Sequence, residues 1–522
     1  MFKRYAVAFL LILSIIFCSS CNATIENVTE NAALENETAA ITEEESKKNF
    51  SFTLLYCNND SFNPYSAITE TNRSLGLLLF DSLVKIDNDF NVKYSLAKKI
   101  TNEDNKVFTI KLKNARFSNG TSVTAEDIIY SIKLAKKSKT KYKKQLAKIS
   151  SYTQVDSQTV KITLKSASPY FERMLDFPII RTDTANKSDA SHAEFPPIGS
   201  GRYILDLENK QITYNKYFHS GKPEIKTIAL LCAPDSESAD HYIEMGGVSL
   251  VYNDLADGKI STMNGNLSRV KLNNLVYLGT NRNKDSVCSN EYIRYCIAAG
   301  IDRSAIIKQA YYSYGSVAIG PYRSDWKPVA SYQNLLETQN NDVSIANLEK
   351  IGYNDRNADG FFVNENGDVL TLSLIYNKEN DSRKATAELI KNQLSLVGIK
   401  VVIHPLSWKE YQKALKNNEF DLYLAEITVA NDMDITPIIS NKSSICYGKV
   451  KSKKLNSSAE SYQKFLKGDC SLADFINAFY DEMPFIPVCY RDGIVICSKN
   501  LTSIPESSYS DIFYGIEDIA LK

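Results

Sequence analysis

Apolar and polar residues follow one another along the stretch 77–136 in a way that predicts three successive elements. From Phe108 to Lys113 apolar and polar side chains alternate, which is the pattern of a strand with one buried face. Asn119-Gly120 supplies the backbone freedom that a turn needs. Thr124 then opens a helix in which Asp127 can complete a reciprocal cap. We therefore expect a strand, a turn and a capped helix.

The segment 369–424 alternates between the strand pattern and the helix pattern. It predicts strand, helix, strand, helix and strand, with the first helix capped by Ser382 and ended by Gly398. This order indicates crossover units and a largely parallel sheet. Ligands of such sheets lie beyond the carboxyl ends of the strands, here near Tyr376-Asn377, His404 to Trp408, and Ala425 to Asp434.

Length and charge narrow the class of protein. The chain has 522 residues, with 61 basic and 61 acidic side chains. This length predicts two or three domains. Because the charges balance and no long basic block is present, we expect no nucleic-acid partner.

The first residues have the pattern of a secretory signal peptide. Two basic residues precede an apolar run, residues 5–17, that is shorter than the roughly 20 residues of a membrane-spanning helix. Small residues precede Cys21 as in the cleavage site of bacterial lipoproteins, whose cysteine is acylated. We predict a signal peptide at 1–20 and lipid attachment at Cys21, with plain secretion as the alternative. Residues 21–50 lack apolar periodicity and predict the lipid anchor and a disordered tether.

The chain also resembles a known protein family in three segments between residues 80 and 128. The segments are Phe-Asp-Ser-Leu-Val at 80–84, Phe-Thr-Ile-Lys-Leu at 108–112 and Ala-Arg-Phe-Ser-Asn-Gly-Thr-Ser-Val-Thr-Ala-Glu-Asp-Ile at 115–128. They are similar to the signature of the oligopeptide-type (family five) extracellular solute-binding proteins, which serve ABC importers. Residues 199–203 and 292–303 resemble two further segments of that family.

The resemblance implies an α/β fold of the periplasmic-binding-protein type, class II and oligopeptide-binding. Two lobes enclose a cleft in this fold, and an extra subdomain is inserted in the first lobe. The implied boundaries are 51–74, 190–272 and 482–522 for lobe 1, 75–189 for the subdomain, and 273–481 for lobe 2.

The implied function is capture of a small solute, most often a short peptide, by closure of the cleft and its delivery to ABC permease subunits. No enzymatic activity, cofactor or metal is expected. We expect a monomer that its lipid anchor holds at the extracytoplasmic face of the cell membrane. A surface receptor, sensor or interaction protein that keeps the binding fold without transport is the alternative.

The resemblance and the strand order together indicate the ligand-binding residues. They are Asn63, Tyr65, Tyr376, Trp408, Glu426, Ile427, Asp432 and Asp434. In peptide-binding relatives an aspartate in the last segment pairs with the α-ammonium of the peptide, but here Ala430 takes its place and Ile427 replaces a tryptophan. Asp432, Asp434 or Glu426 could serve instead, and the sequence leaves this choice open.

Other polar clusters give weaker signals. Residues 355–360 resemble the start of a calcium loop, but Asn366 stands where the twelfth position requires glutamate, so we interpret them as a hairpin turn. The Lys-rich segment 133–148 is interpreted as a solvated helix face, with contact to an anionic surface as the alternative. The histidines lack the spacing of metal ligands, and they are His192, His219, His241 and His404.

Eight cysteines follow Cys21, and we favour buried thiols over disulfides. Cys489 and Cys497 flank Asp492-Gly493, where a hairpin is expected. A two-residue loop places their sulfur atoms on opposite faces, whereas a three-residue loop centred on Gly493 places them opposite each other. The sequence leaves both registers open.

Overall fold

The computed structural model describes residues 51–185, 195–256, 258, 263–332, 338–450 and 452–522. The predicted signal peptide, Cys21, the tether, His192 and the boundary between 189 and 190 lie outside these residues. Within the described ranges, no helix is both long enough and apolar enough to cross a bilayer.

The strands are short at the start of the chain, and the two longest are β12 and β21. Their bounds are β1 Thr53–Tyr56, β2 Val84–Ile86, β3 Val92–Tyr94, β4 Ala97–Glu103, β5 Val107–Leu112, β6 Ile149–Asp156, β7 Thr159–Leu164, β8 Tyr203–Asp206, β9 Gln211–Tyr214, β10 Thr227–Cys232, β11 Leu250–Asn253, β12 Asn266–Thr280, β13 Gly315–Ser316, β14 Ala318–Ile319, β15 Tyr322–Arg323, β16 Asp355–Arg356, β17 Phe362–Val363, β18 Thr371–Asn377, β19 Lys400–Leu406, β20 Leu422–Thr428 and β21 Phe485–Cys497.

The helices are distributed along the whole described chain. Their bounds are α1 Glu70–Leu79, α2 Ala125–Lys137, α3 Lys141–Gln145, α4 Ser236–Glu244, α5 Glu291–Ala299, α6 Arg303–Ala310, α7 Asn341–Glu349, α8 Asp381–Leu396, α9 Trp408–Asn417, α10 Thr436–Ile439, α11 Ser457–Lys467 and α12 Leu472–Glu482. Single 3₁₀ turns lie at Phe171–Leu175, Val287–Ser289, Lys327–Val329 and Ile516–Asp518.

Three larger sheets organise the fold. The first has the order β1-β10-β9-β8, with β1 parallel to β10. The second is antiparallel, with the order β4-β5-β7-β6. The third has the order β11-β21-β12-β20-β18-β19, and β13 also pairs with β21.

The third sheet is mixed, so the expectation of a largely parallel sheet is wrong for the sheet as a whole. The predicted parallel pairing is present, because β18 lies parallel to both β19 and β20. However, β12 is antiparallel to β20 and to β21. The two long strands β12 and β21 come from parts of the chain outside the segment 369–424. The pattern within one segment could not predict them.

The predicted elements of the stretch 77–136 are present. Phe108, Ile110 and Leu112 of β5 are buried. Helix α2 begins after Thr124, whose backbone N–H and hydroxyl donate to the Asp127 carboxylate at 2.9 and 2.8 Å. The capped helix that the sequence predicts is therefore confirmed.

The cap of α8 differs from the prediction. Asn380 rather than Ser382 caps this helix, because the Asn380 side chain accepts the backbone N–H of Arg383 at 2.9 Å. Ser382 is buried in the first turn. Gly398 follows the helix with φ of +83°, which fits its predicted place at the helix end.

The expected hairpin around Asp492-Gly493 is absent, because Phe485–Cys497 is one continuous strand. Cys489 and Cys497 are therefore eight residues apart along one strand, about 26 Å. Neither of the two hairpin registers considered from the sequence is present. This separation excludes a disulfide between them. All eight cysteines of the described residues are free thiols, and most are buried.

Candidate ligand-binding cavity

A cavity of ≈ 1080 Å³ opens between helix α1, the segment around α3, the last residues of β11 and β20, and the middle of β12. Helix α4 and residues 509–512 complete its walls. Small-molecule sites usually measure about 300–1,000 Å³. This cavity is therefore large enough for a ligand at or above the upper end of that range.

Helix α1 is fixed at its start by a partly buried hydrogen-bond network. The Thr69 hydroxyl accepts the backbone N–H of Asn72 at 3.3 Å and donates to the Asp60 carboxylate at 2.6 Å. Asp60 also accepts the backbone N–H of Thr69 at 2.8 Å. Burial acts to raise the pKa of Asp60, but the hydrogen bonds from Thr69 outweigh it and lower the pKa. The cap thus holds the first turn of α1 at the cavity edge.

One face of α1 is polar and lines the cavity, while the other face, with Leu75 and Leu78, is buried. Glu70 and Arg73 lie on the cavity side, 3.9 Å apart, with 67% and 45% of their side chains exposed. A pair this exposed contributes little to stability. Both charges are therefore available to a ligand.

Although 67% of the Glu70 side chain is exposed, loss of hydration next to the protein raises the pKa of Glu70. The neighbouring charge of Asp254 acts in the same direction, while Lys141 and Arg73 oppose it. Glu70 and Asp254 are thus two like charges that line one cavity.

A second charged group lies on the side of α3. The Asp176 carboxylate accepts hydrogen bonds from Asn431 Nδ2 at 2.9 Å and from Ser510 Oγ at 3.0 Å. Burial raises the pKa of Asp176, against the effect of Lys141. The pKa of Lys141 is itself raised, chiefly by Tyr142 and then by Asp176 against the effect of burial. All five side chains line the cavity.

A β-bulge in β12 brings backbone irregularity to the cavity wall. The register of β12 against β21 shifts between Val270 and Asn274, and residues 272–274 line the cavity. Bulges of this kind redirect side chains near functional sites. Asn273 is 2% exposed and donates to the carbonyl of Val429 at 3.1 Å.

Two buried polar atoms of residues that line the cavity have no partner among the described residues. They are Asn273 Oδ1 and the hydroxyl of Tyr509. A buried acceptor that lacks a hydrogen bond costs about 1–3 kcal/mol. Ligand groups that donate hydrogen bonds would recover that cost.

Asn63 and Tyr65 lie beside the cavity rather than on its wall. The Asn63 amide donates to the carbonyl of Ala185 at 2.7 Å, and its oxygen accepts the backbone N–H of Tyr65 at 3.0 Å. The Tyr65 hydroxyl donates to the carbonyl of Pro178. Its ring packs edge-on against Tyr142, with centroids 5.7 Å apart. In this arrangement Tyr65 supports a cavity residue.

Tyr376 and Trp408 lie in the parallel part of the third sheet and at the helix that follows it. Tyr376 is 3% exposed and pairs with Pro405 in the register of β18 and β19. Trp408 is 48% exposed at the start of α9 and stacks on Tyr411, with centroids 5.8 Å apart. Neither is among the cavity-lining residues of the described chain.

Glu426 is held by internal partners. Its Oε1 accepts from Arg491 Nη2 at 2.7 Å and from Asn274 Nδ2 at 3.1 Å. Because Asn274 lines the cavity, Glu426 is one hydrogen bond away from it. Ile427 pairs with Leu275 of β12 and packs against the hydrophobic core.

Asp432 and Asp434 both pair with Lys148. The Lys148 ammonium forms an ion pair with Asp432 and lies 2.8 Å from Asp434 Oδ2. Asp432 also accepts from Ser168 Oγ at 2.8 Å, and its side chain is fully buried. Burial would raise the pKa of Asp434, but Lys148 overrides this and lowers it. An internal cation therefore occupies the place that the sequence suggested for the amine of a ligand.

Among the described residues that line the cavity, none is one of the eight predicted ligand-binding residues. Asn63, Tyr65 and Glu426 lie next to lining residues, and the role of all eight in binding stays a prediction. Thr428 and Asn431 of the predicted segment 425–434 do line the cavity. Sequence reasoning missed Glu70, Arg73 and Asp176, which belong to no motif. Lys141 lay in the Lys-rich segment, whose alternative interpretation, contact with an anion, was the available signal.

Comparison with known proteins decides the family. The model for bacterial extracellular solute-binding proteins, family 5 Middle, matches residues 91–444, about two thirds of the chain. The chain belongs to this family. Family five proteins are the solute-binding components of ABC importers rather than enzymes.

Individual relatives of this family five protein are named for different solutes. It is 24% identical to oligopeptide-binding protein AppA of Bacillus subtilis over 380 residues, 69% of each chain. It is also 24% identical to nickel-binding protein NikA of Staphylococcus aureus over 367 residues, 67% of this chain and 66% of NikA.

A solved structure supports the fold. The periplasmic murein tripeptide binding protein MppA, in its unliganded open form, matches with a TM-score of 0.73 at 17% identity. The match covers 91% of this chain and 98% of MppA. The two-lobed α/β fold that the sequence predicted is therefore confirmed.

Proposed function

We propose that this protein captures a short peptide in the cavity and delivers it to the permease of an ABC importer. The observation that carries this proposal is the set of opposite charges that line the cavity. Glu70 and Asp254 supply carboxylates, and Arg73 and Lys141 supply cations. A peptide has an ammonium, a carboxylate and hydrogen-bonding amides, so such a wall can pair with each part of it.

The size of the cavity agrees with a short peptide. A cube of ≈ 1080 Å³ has an edge of about 10 Å, and three residues of an extended chain span about that length. The unpaired acceptor of Asn273 and the Tyr509 hydroxyl match the amides of a peptide backbone. AppA, a relative named for oligopeptides, is consistent with this class of ligand.

Ligand capture in a two-lobed protein follows from differential affinity. A ligand that contacts both lobes only in the closed state stabilises that state by the free energy of those contacts. Recognition then requires no covalent chemistry. We further propose that the closed, loaded form is the one that the permease recognises.

We also propose that the protein is a monomer attached to the extracytoplasmic face of the cell membrane through lipid on Cys21. Each buried acyl CH₂ contributes about 0.8 kcal/mol, so two or more chains give stable attachment. The motif around Cys21 supports this proposal.

The proposal is tested by identifying what the protein carries. The full chain with Cys21→Ser is purified without denaturation, then unfolded, and the released small molecules are identified by mass spectrometry. We expect short peptides. Calorimetric titration with a tripeptide library and, separately, with nickel chloride follows.

The result against the proposal is release of a non-peptide solute together with no heat from any tripeptide. Glu70→Gln should weaken peptide binding, because it removes a wall charge. The matched control is Glu460→Gln, which changes an exposed helical glutamate paired with Lys464 at 3.4 Å, outside the cavity lining. The control should bind as the parent protein does.

A further inference from the structure

The charges on the cavity wall are unequal in number. Among the described residues, five acidic and three basic side chains line the cavity, which leaves an excess of two acidic groups. They are Glu70, Asp176, Asp240, Glu244 and Asp254 against Arg73, Lys139 and Lys141. The chain as a whole is balanced, so this excess is a local property of the cavity.

The acidic groups differ in how well they are already satisfied. Asp176 accepts hydrogen bonds from Asn431 and Ser510, and Lys141 lies near it. Glu70 lies 3.9 Å from Arg73, and Lys141 and the Ser74 side chain also favour its charged form. Asp254 lies 4.0 Å from Arg491, whose main partner is Glu426 at 2.7 Å. Asp240 and Glu244 have no ion pair among the described residues, and Glu70 and Asp254 have only long ones, so these four carboxylates carry the excess negative charge of the cavity.

Glu70 and Asp254 line the same cavity as Tyr252. After burial, the charge of Asp254 contributes to the raised pKa of Glu70, and both acids contribute to the raised pKa of Tyr252. Two like charges that line one cavity favour a cation bound within it, because the cation offsets both of them.

A buried side chain on the same wall adds an independent indication of the ligand's chemistry. Asn273 is 2% exposed, and its Oδ1 accepts no hydrogen bond from the described residues. This oxygen can only accept, so the missing partner is a donor. Ammonium and guanidinium groups are donors that also carry the charge the two acids need.

We infer that the cavity selects peptides of net positive charge, and that Glu70 and Asp254 set this preference by binding a cationic side chain of the peptide. The inference rests on the proposed function, since it names the class of peptide that the same cavity takes. Arg73 and Lys141 remain to bind the peptide carboxylate.

The test is calorimetric titration of the full chain carrying Cys21→Ser with three tripeptides, Ala-Lys-Ala, Ala-Gln-Ala and Ala-Glu-Ala, at about pH 7.5. They differ only in the charge of the central side chain. We expect Ala-Lys-Ala to bind about tenfold more tightly than Ala-Gln-Ala, and Ala-Glu-Ala to bind most weakly. Raising NaCl from about 50 to about 500 mM should reduce the difference.

Variants locate the preference. Glu70→Gln and Asp254→Asn should each lower the ratio of the Ala-Lys-Ala and Ala-Gln-Ala affinities, whereas Glu460→Gln should keep it. Melting curves identify a variant that fails to fold. In that case the salt series on the parent protein still tests the charge preference.

The outcomes distinguish failure of the charge preference from failure of the proposed function. If Ala-Gln-Ala binds as tightly as Ala-Lys-Ala, or the ratio does not change in either variant, the charge preference is overturned while peptide binding stands. If no tripeptide of any charge binds and none is released from the purified protein, the proposed function itself fails.

Discussion

Replacing Lys148 by methionine should destabilise the protein by leaving a buried carboxylate without its counter-ion. The Lys148 ammonium pairs with Asp432 and Asp434, and the Asp432 side chain is fully buried. After the change Asp432 would keep Ser168 as its remaining partner, while its Oδ1 already has none among the described residues.

The magnitude follows from the burial of the pair. Removing one partner of a buried ion pair costs about 3–5 kcal/mol. Because the Lys148 side chain is 24% exposed, we expect the lower end, about 3 kcal/mol. If Ser51–Lys522 unfolds as one unit, its unfolding entropy of about 1 kcal/mol/K converts this loss into a fall in Tm of about 3 °C.

The assay is differential scanning calorimetry with urea unfolding of the parent and variant proteins. Lys144→Met is the matched control, since this lysine of the same Lys-rich segment is exposed, and we expect a change within about 0.5 kcal/mol. Adding Asp432→Asn to Lys148→Met should restore part of the stability, because it removes the fully buried one of the two carboxylates left unpaired. Equal effects of Lys148→Met and Lys144→Met, or no recovery in the double variant, would refute the reasoning.

The pH dependence has a defined sign. The pKa of Asp434 is lowered, so its contribution is present above the ordinary carboxyl pKa of about 3.9 and is lost as the pH falls through the lowered value. The pKa of Lys148 is raised, against burial, by the two aspartates. Its contribution is present below about 10.4 and is lost as the pH rises through the raised value. The gap between parent and Lys148→Met should therefore be constant from about pH 5 to 9.

Three further changes test other parts of the structure. Gly201→Ala should destabilise by at least about 2 kcal/mol in urea unfolding, because its Cβ would collide with the end of α1, whereas Gly76→Ala meets an ordinary 3.8 Å contact and should be neutral or stabilising. Alkylation of the folded, non-reduced protein should label Cys232 and Cys470, which are half-buried, before the buried thiols, and any disulfide found by mass spectrometry would contradict the structure. Cys21→Ser should move the protein from the membrane fraction to the soluble fraction, and unchanged fractionation would contradict lipid attachment.

Local patterns predicted the elements whose causes are local. The cap formed by Thr124 and Asp127 lies within four residues, so the sequence was sufficient to place α2. The parallel pairing of β18 with its neighbours follows from crossover spacing within one segment. The hairpin expected at Asp492-Gly493 is absent because β12 pairs with both halves of β21, β11 pairs with its last four residues, and the strand stays extended.

Candidate site residues were harder to predict because charges meet across the chain. Lys148 and Asp432 are 284 positions apart, and nothing near either residue in the sequence marks the other. On the predicted boundaries the pair joins the inserted subdomain to lobe 2. The acids whose ion pairs are long, Glu70 and Asp254, are likewise distant in sequence and belong to no motif.

The two possible positions for the amine of a ligand predict opposite effects of one substitution. If Asp432 and Asp434 bind the peptide ammonium, the ligand must displace Lys148, so Lys148→Met removes a competitor and should tighten binding. If the ammonium binds to the cavity acids, Lys148→Met leaves those contacts unchanged, and affinity measured by titration should stay within about twofold once folding is verified. We expect the second result, together with weakened binding in Glu70→Gln, because Lys148 already satisfies Asp434 at 2.8 Å whereas the ion pair of Glu70 with Arg73 is long, at 3.9 Å. Tighter binding in Lys148→Met would instead indicate that the peptide ammonium binds to Asp432 and Asp434, which follow β20.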